Sequence, residues 1–460
     1  MTALLTQKLI QICLVGLPKK ITPKEKAAAS QCLIDSLACA YAAYKEPAIE
    51  MLMQAYLEHP PSTGCSVIGY PSYARADDAA LINGAMVSLQ LFDDNQAQMR
   101  GHPSGPLLPA VLAAAEEVNA SMDQAQTAFV IGYELECRLG MLLNPAHYEL
   151  GWHATATQGT FAATMACAYL LKLSPTQAEH ALGIAASMAS GVRRNFGTMT
   201  MSLHSGLAAS NGVKAARLAK LGFTADTHIF DGPMNIGDVF SKEWSTEALR
   251  SDLEQWGEPF VISHPGQTFK LYPCGRPPLF AIDCVVELQR KHQLKLSDIE
   301  KITCEVSYMY PRTLIHSRPT NGLQGKTSLE YCIATALLDT RPVLSSFTDE
   351  AVKRSEIARL IDLIEVSVPA HLSEDVEAVR KAPFEQPVTL TLQNKSGQLF
   401  TETTAFHKGS PENPASQADL DQKFQDCLSP WIGQTRITEI LALCKDNRTP
   451  IQGLMRALCI

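Results

Sequence analysis

Through the first 260 or so residues apolar positions recur every three to four residues, and the repeats open on recognisable start signals. Thr22-Pro23-Lys24-Glu25 places a capping Thr, a Pro at the first helical position and a Glu at the third, after which Leu33, Leu37 and Tyr41 share one helical face. Ser174-Pro175-Thr176-Gln177 repeats the device ahead of Ala181, Ile184, Ala185 and Met188. A helix after His204 carries Lys214, Arg217 and Lys220 on one face and stops at Gly222. The apolar stretch 1–18 reads as a first helix, and the abundance of Ala throughout implies close helix packing. From about Gln267 the period falls to two. Ile302, Cys304, Val306 and Tyr308 alternate with Thr303, Glu305 and Ser307, segments 388–392 and 399–401 flank Asn394-Lys395-Ser396-Gly397 as a hairpin, and 364–368 is a further strand candidate. Helical patterns over 277–292 and 328–338 lie between them, and after Ser410-Pro411-Glu412-Asn413-Pro414 the chain turns helical again to its end. The pattern predicts a mainly α protein with an α+β second domain: helices over 1–266, an α+β region with an antiparallel sheet over 267–404, and C-terminal helices over 405–460 that pack back on the first domain. No internal repeat or low-complexity segment interrupts it.

Composition narrows the class. At about 150 residues per domain, 460 residues make two or three domains, and 46% hydrophobic with 19% charged residues is an ordinary globular content. Acidic residues outnumber basic ones by 47 to 39, a net charge of −8, which argues against a nucleic-acid-coating surface. Any anionic ligand therefore needs a local basic pocket. The 13 cysteines form no CxxC and no His/Cys cluster, so they are expected to be reduced thiols in a cytoplasmic protein, acting as small core hydrophobes. The chain has no secretory leader pattern and no run of about 20 uninterrupted apolar residues, so no membrane association is expected.

Four segments carry more polar chemistry than packing requires. Phe92-Asp93-Asp94-Asn95 followed by Gly101-His102-Pro103-Ser104-Gly105-Pro106 is a loop presenting carboxylates and an imidazole, or else a solvated acidic surface. His153 lies just ahead of a helix whose N-terminal amides suit an anion, although a capping or buried structural role fits the bare pattern as well. Gly191 to Gly206 holds Arg193, Arg194, Asn195, Thr198, Thr200 and His204, a carboxylate cradle in which guanidinium groups offer bidentate geometry, or a loop of solvated charges. Lys270-Leu271-Tyr272-Pro273-Cys274-Gly275-Arg276 stands where the helical texture gives way to the sheet, a usual place for a pocket between domains, or simply a linker. The chain lacks GxGxxG after a strand, GxxxxGK[ST], GxSxG and HExxH, so nucleotide, α/β-hydrolase and zincin chemistry lack their usual marks. A reaction without cofactor or metal is expected, in which a His or carboxylate removes a proton next to a carboxylate and cations hold the developing charge.

In order and spacing these segments resemble the MmgE/PrpD family, which includes 2-methylcitrate dehydratase, cis-aconitate decarboxylase and an iminodisuccinate epimerase. The resemblance spans nearly the whole chain and is carried by 35–40, Asn83-Gly84-Ala85, Phe92-Asp93-Asp94, His102-Pro103-Ser104-Gly105 and His153-Ala154-Thr155. It continues through 181–185, 195–200, Leu203-His204-Ser205-Gly206, Tyr272-Pro273-Cys274, Gly325-Lys326-Thr327-Ser328 and Lys408-Gly409-Ser410-Pro411. It implies a large helical domain made of the N-terminal half plus the C-terminal tail, an inserted α+β lid, a homodimer, and an active site between the domains. His102 and His153 match the family's catalytic histidines, with roles in proton transfer and carboxylate binding.

The chain departs from the family pattern in places. Where relatives commonly carry a Lys after Thr-Met-Thr it has Met201, and Gly275-Arg276-Pro277-Pro278-Leu279 holds no imidazole where relatives have one. Leu91 stands where the decarboxylase branch is often acidic, Asn95 where that branch has Thr, and one extra residue separates Asp94 from His102. The combined expectation is a cofactor-independent lyase acting on a small di- or tricarboxylate, with 2-methylcitrate dehydratase-like loss of water as the default. Decarboxylation and epimerisation stay open, as does a catalytically degenerate homologue that only binds carboxylates. His102 and His153 would handle protons, Asp93 or Asp94 would orient one of them, and Arg193, Arg194 and His204 would cradle carboxylates with Asn95, Asn195, Thr198 and Thr200. Lys270, Tyr272, Cys274 and Arg276 would close from the lid.

Overall fold

A computed structural model describes residues 4–292 and 294–460. The start signals act as their chemistry requires: Thr22 and Glu25 close a reciprocal capping box at the head of Pro23–Ala42, and Ser174 and Gln177 do the same for Pro175–Met188. The expected first helix runs as Leu5–Gln11, Ile12–Gly16 and Leu17–Lys20, with residues 1–3 outside the described residues.

Ala76–Leu89, Ser104–Glu117, Ala154–Leu170 and Met199–Lys220 form the centre of a helical body. All of Ala154–Leu170 except Tyr169 is buried, so this helix is surrounded on every side. Its threonines fit there because their hydroxyls return to the backbone: Thr160 Oγ1 donates to Ala156 O at 2.8 Å and Thr164 Oγ1 to Thr160 O at 2.7 Å. Small residues set the helix spacing. A Cβ at Gly84 would stand 2.9 Å from Gly206 Cα, and one at Gly212 would stand 2.3 Å from the Ala163 Cβ, so either substitution drives two helices apart.

Two apolar cores divide the chain. The larger gathers buried residues from Leu5 to Phe269 and continues in the C-terminal helices Gln417–Leu428, Gln434–Lys445 and Ile451–Ala457 through Phe424, Leu428, Ile440 and Leu454. The smaller packs the helices Arg276–Lys291 and Leu329–Asp339 on one face of a four-stranded sheet, and draws Tyr148 from the helical body. The expected hairpin forms as Val388–Asn394 with Leu399–Thr404, and Ile299–Glu305 pairs antiparallel with the first of these. The sheet is mixed rather than purely antiparallel, because Ile364–Ser367 runs parallel to Ile299–Glu305. The helical segments between these two strands bring the chain back in the same direction, the crossover that a parallel pair needs. A short pairing of Cys65–Ser66 with Tyr73–Ala74 left no periodic trace in the sequence. Twelve of the 13 thiols are buried and all are unpaired, as small core hydrophobes. Among the described residues no helix is long and apolar enough to cross a membrane.

Candidate active site

A cleft of about 850 Å³ opens where the helical body meets the α+β unit. One wall is the loop after Ala76–Leu89. Asn95 and Thr268 exchange backbone hydrogen bonds of 2.9 and 2.7 Å, and Asn95 Nδ2 and Gln96 N both donate to Gly101 O at 3.0 Å, so the loop is closed on itself and tied to the segment that leads into the α+β unit. Within it Asp93 is 1% exposed; its Oδ2 accepts from Ser88 Oγ at 3.2 Å. Its Oδ1 stands 3.4 Å from His102 Nδ1 and 3.6 Å from Lys270 Nζ.

His102 Nδ1 lies 2.9 Å from Asp94 O. A peptide carbonyl can only accept, so the proton sits on Nδ1 and Nε2 is the bare nitrogen. Burial, opposed by Asp93 and aided by Lys270, pushes this imidazole down to about 4, leaving it neutral at pH 7. His153 presents a different arrangement. Its Nδ1 is 3.0 Å from His204 Nδ1, and burial followed by the neighbouring His204 holds His153 well below the usual histidine range, while burial lowers His204 too. Two neutral rings joined through Nδ1 must hold opposite tautomers: when His204 donates, His153 carries its proton on Nε2.

The remaining expected residues divide by position. Arg276 lines the cleft, with Nη1 donating to Phe384 O at 3.0 Å. Lys270 is wholly buried behind Asp93; its Nζ donates to Leu91 O at 2.8 Å, and burial lowers its pKa. Asp94 lies beneath the cleft, accepting from Ser104 Oγ at 2.7 Å, and burial with the nearby Asp35 charge raises it to about 7. Arg193 bridges the two units instead of lining the cleft: its guanidinium lies 3.6 Å over the Tyr148 ring and donates to Tyr148 O at 2.5 Å and Thr313 Oγ1 at 3.2 Å. Arg194, Thr198 and Thr200 are exposed, Asn195 is half-buried in a 3₁₀ turn, and none of the four lines the cleft. Tyr272 faces a separate cleft, donating to Asp283 Oδ1 at 3.2 Å, and Cys274 is buried in the smaller core. Lining residues absent from the expected set include Ser88, Arg100, Tyr148, Thr155, Phe196, Thr313, Leu314, Thr327 and Phe384, together with Leu91 and Met201, which the sequence marks only as departures. Thr155 belongs to the His153-Ala154-Thr155 motif, though the sequence assigns it no role, and its Oγ1 accepts from His102 N at 2.9 Å; Tyr148, Leu314 and Phe384 come from segments with no local signal. Among the described residues no three His, Cys, Asp or Glu side chains converge as a metal site.

A mainly helical body and an α+β unit thus meet at a cleft lined by the neutral imidazoles of His102 and His153, the buried Asp93 and two guanidinium groups, Arg100 and Arg276. The chain belongs to the MmgE/PrpD family: residues 17–248 match its N-terminal domain and residues 272–447 its C-terminal domain. It is 26% identical over 455 residues to a cis-aconitate decarboxylase of Aspergillus terreus, covering 93% of this chain and 90% of that one. The human cis-aconitate decarboxylase is 26% identical over 381 residues, 80% of this chain and 76% of the relative. The mouse protein of the same name is 26% identical over 427 residues, 89% and 84% of the two chains.

Proposed function

We propose that this chain is a lyase of small di- or tricarboxylic acids that works by proton abstraction α to a carboxylate, with loss of water in a 2-methylcitrate dehydratase-like elimination. The observation that carries the reading is the Nδ1–H of His102 committed to Asp94 O, which leaves a bare Nε2 on a neutral ring in the cleft. His102 Nε2 takes the α-proton, and the imidazolium so formed is stabilised by Asp93 3.4 Å away. The electron pair left on carbon expels the neighbouring hydroxyl, which departs as water with the proton His102 returns, so the base is restored. His153, proton on Nε2 when His204 donates, hydrogen-bonds the carboxylate oxygens that gain charge as the C–H bond breaks. Arg100 and Arg276 hold the acid in place. A second reading is favoured by the relatives' names: the same carbanion-like state reached by loss of carbon dioxide, with a proton from solvent delivered to the carbon through His102.

Proton NMR in deuterated water with 2-methylcitrate, citrate, cis-aconitate and iminodisuccinate, and with the dicarboxylates 2-methylmalate and 2-propylmalate, tests both readings, following elimination, loss of carbon dioxide and α-proton exchange together. Elimination with exchange is expected, reduced about 10²- to 10⁴-fold in His102→Gln. Full activity in that variant, or silence across the panel, overturns the proposal.

A further inference from the structure

The cations near the cleft are unevenly available. Lys270 is held by Leu91 O and Asp93, Arg193 by Tyr148 and Thr313, and Lys326 is buried with Nζ 3.3 Å from Pro273 O. Two guanidinium groups that do line the cleft converge on one strip of the α+β unit: Arg100 Nη2 donates to Lys381 O at 3.2 Å and Arg276 Nη1 to Phe384 O at 3.0 Å. Glu385 stands 3.7 Å from Arg276 and is partly exposed, so the strip keeps one net positive charge. Arg100 Nη1 and Arg276 Nε are both buried and have no hydrogen-bond partner among the described residues, and the Arg276 side chain is only 10% exposed. Two N–H groups without acceptors at a positive strip match the two oxygens of one carboxylate. Apart from His102, His153 and Asp93, the rest of the lining brings no charge: Ser88, Asn95, Thr155, Thr313 and Thr327 offer hydroxyl or amide groups, and Leu91, Phe196 and Met201 from the helical body with Leu314 from the α+β unit make an apolar wall.

From this division we infer that the cleft selects a dicarboxylic acid bearing an alkyl arm over a tricarboxylic acid. The Arg100–Arg276 pair receives the carboxylate remote from the reacting carbon, and the alkyl arm lies against Leu91, Phe196 and Met201. A third carboxylate would have to desolvate against that apolar wall with no cation left to meet it. The inference rests on reading the cleft as a carboxylate site and narrows the substrate class.

Binding of unreactive acids separates this inference from the catalytic reading, because it needs no turnover. Calorimetric titration of the full chain with 2-methylsuccinate, 2-propylsuccinate and tricarballylate is the test. Each buried methylene strengthens binding about three- to fourfold, so 2-propylsuccinate is expected to bind about tenfold more tightly than 2-methylsuccinate, with tricarballylate weaker than both. Met201→Lys should reverse the order of 2-propylsuccinate and tricarballylate, and Arg100→Gln should weaken all three acids tenfold or more. Tricarballylate binding the parent chain as tightly as 2-propylsuccinate would overturn the inference without any variant. So would an unchanged order in a folded Met201→Lys protein, or undiminished binding in Arg100→Gln.

Discussion

In the proposed reaction His102 can serve as a base because its other nitrogen is already engaged and because its mostly buried ring resists protonation. Without burial an imidazole takes a proton near 6.5, and protonation would fill Nε2 just where a base is needed. In the folded chain the pKa falls to about 4, so the base form dominates from about pH 4 upward. The sign for stability is the same. Between 6.5 and 4 the unfolded chain accepts a proton that the buried ring refuses, so this residue's contribution is present above 6.5 and is lost as pH falls through about 4. For activity, kcat/KM should therefore hold level down through pH 6 and fall with an acid limb near 4. The measurement is initial rate at low substrate concentration from pH 3.5 to 8, with folding checked at each pH. A limb near 6.5 in a folded protein would mean a solvated imidazole is the base, and His102 would lose the role.

The loop that carries Asp93 is held in place by elements far from it in sequence. Leu91 sits in the left-handed region at φ 51°, and the carbonyls of Leu91 and Phe92 are each capped by a buried lysine. Lys270 reaches the first at 2.8 Å; Lys423, from the C-terminal helix Gln417–Leu428, reaches the second at 2.7 Å and Asp35 Oδ1 at 2.6 Å. Burial alone would draw the Lys423 ammonium down, but Asp35 beside it holds it above the ordinary lysine value. Lys423→Met is predicted to destabilise the chain by about 3–5 kcal/mol in urea unfolding, since it strands the Asp35 carboxylate without a partner, and Asp35→Asn added to it should recover a large part. A single variant within about 1 kcal/mol of the parent would show that the pair does not hold the loop. What the sequence makes legible here is local. Capping boxes at Thr22 and Ser174, the change of period near Gln267, and the Asp93 to His102 loop with its neighbour His153 are each contained in a few adjacent residues. What it hides is direction and distance. Arg193 and Arg194 are adjacent, yet a 3₁₀ turn sends one onto Tyr148 and the other into solvent. Met201 and His204 lie three apart on the buried face of Met199–Lys220 while Thr200 points out, a phase fixed only by where that helix begins. The strand Ile364–Ser367 shows its period but not that it runs parallel to its neighbour.

At the scale of the whole molecule, the cleft exists because two separately packed cores meet along a seam, and the site changes with how firmly that seam is held. Tyr148 is fixed by the backbone of the helical body but packs in the smaller core, where its ring meets Phe384 edge-on at 6.0 Å. Arg193 locks it there, stacking on the ring from the body's side while donating to Thr313 on the other unit. Both residues that Arg193 joins line the cleft, so loosening the seam displaces that part of its wall and leaves each core intact. Arg193→Leu keeps the apolar stem and removes the charge–ring contact and two hydrogen bonds, about 1–3 kcal/mol of attachment. The global unfolding midpoint should scarcely move, because neither apolar core loses a member. Amide exchange should instead quicken roughly tenfold or more in 309–314 and 381–386 while Ala154–Leu170 keeps its protection. KM should rise by a similar factor with kcat less affected, since the base and its partners all belong to the helical body or its adjoining loop. Equal quickening across both units would mean that the two cores unfold as one, and that the seam is not the hinge on which access to the cleft depends.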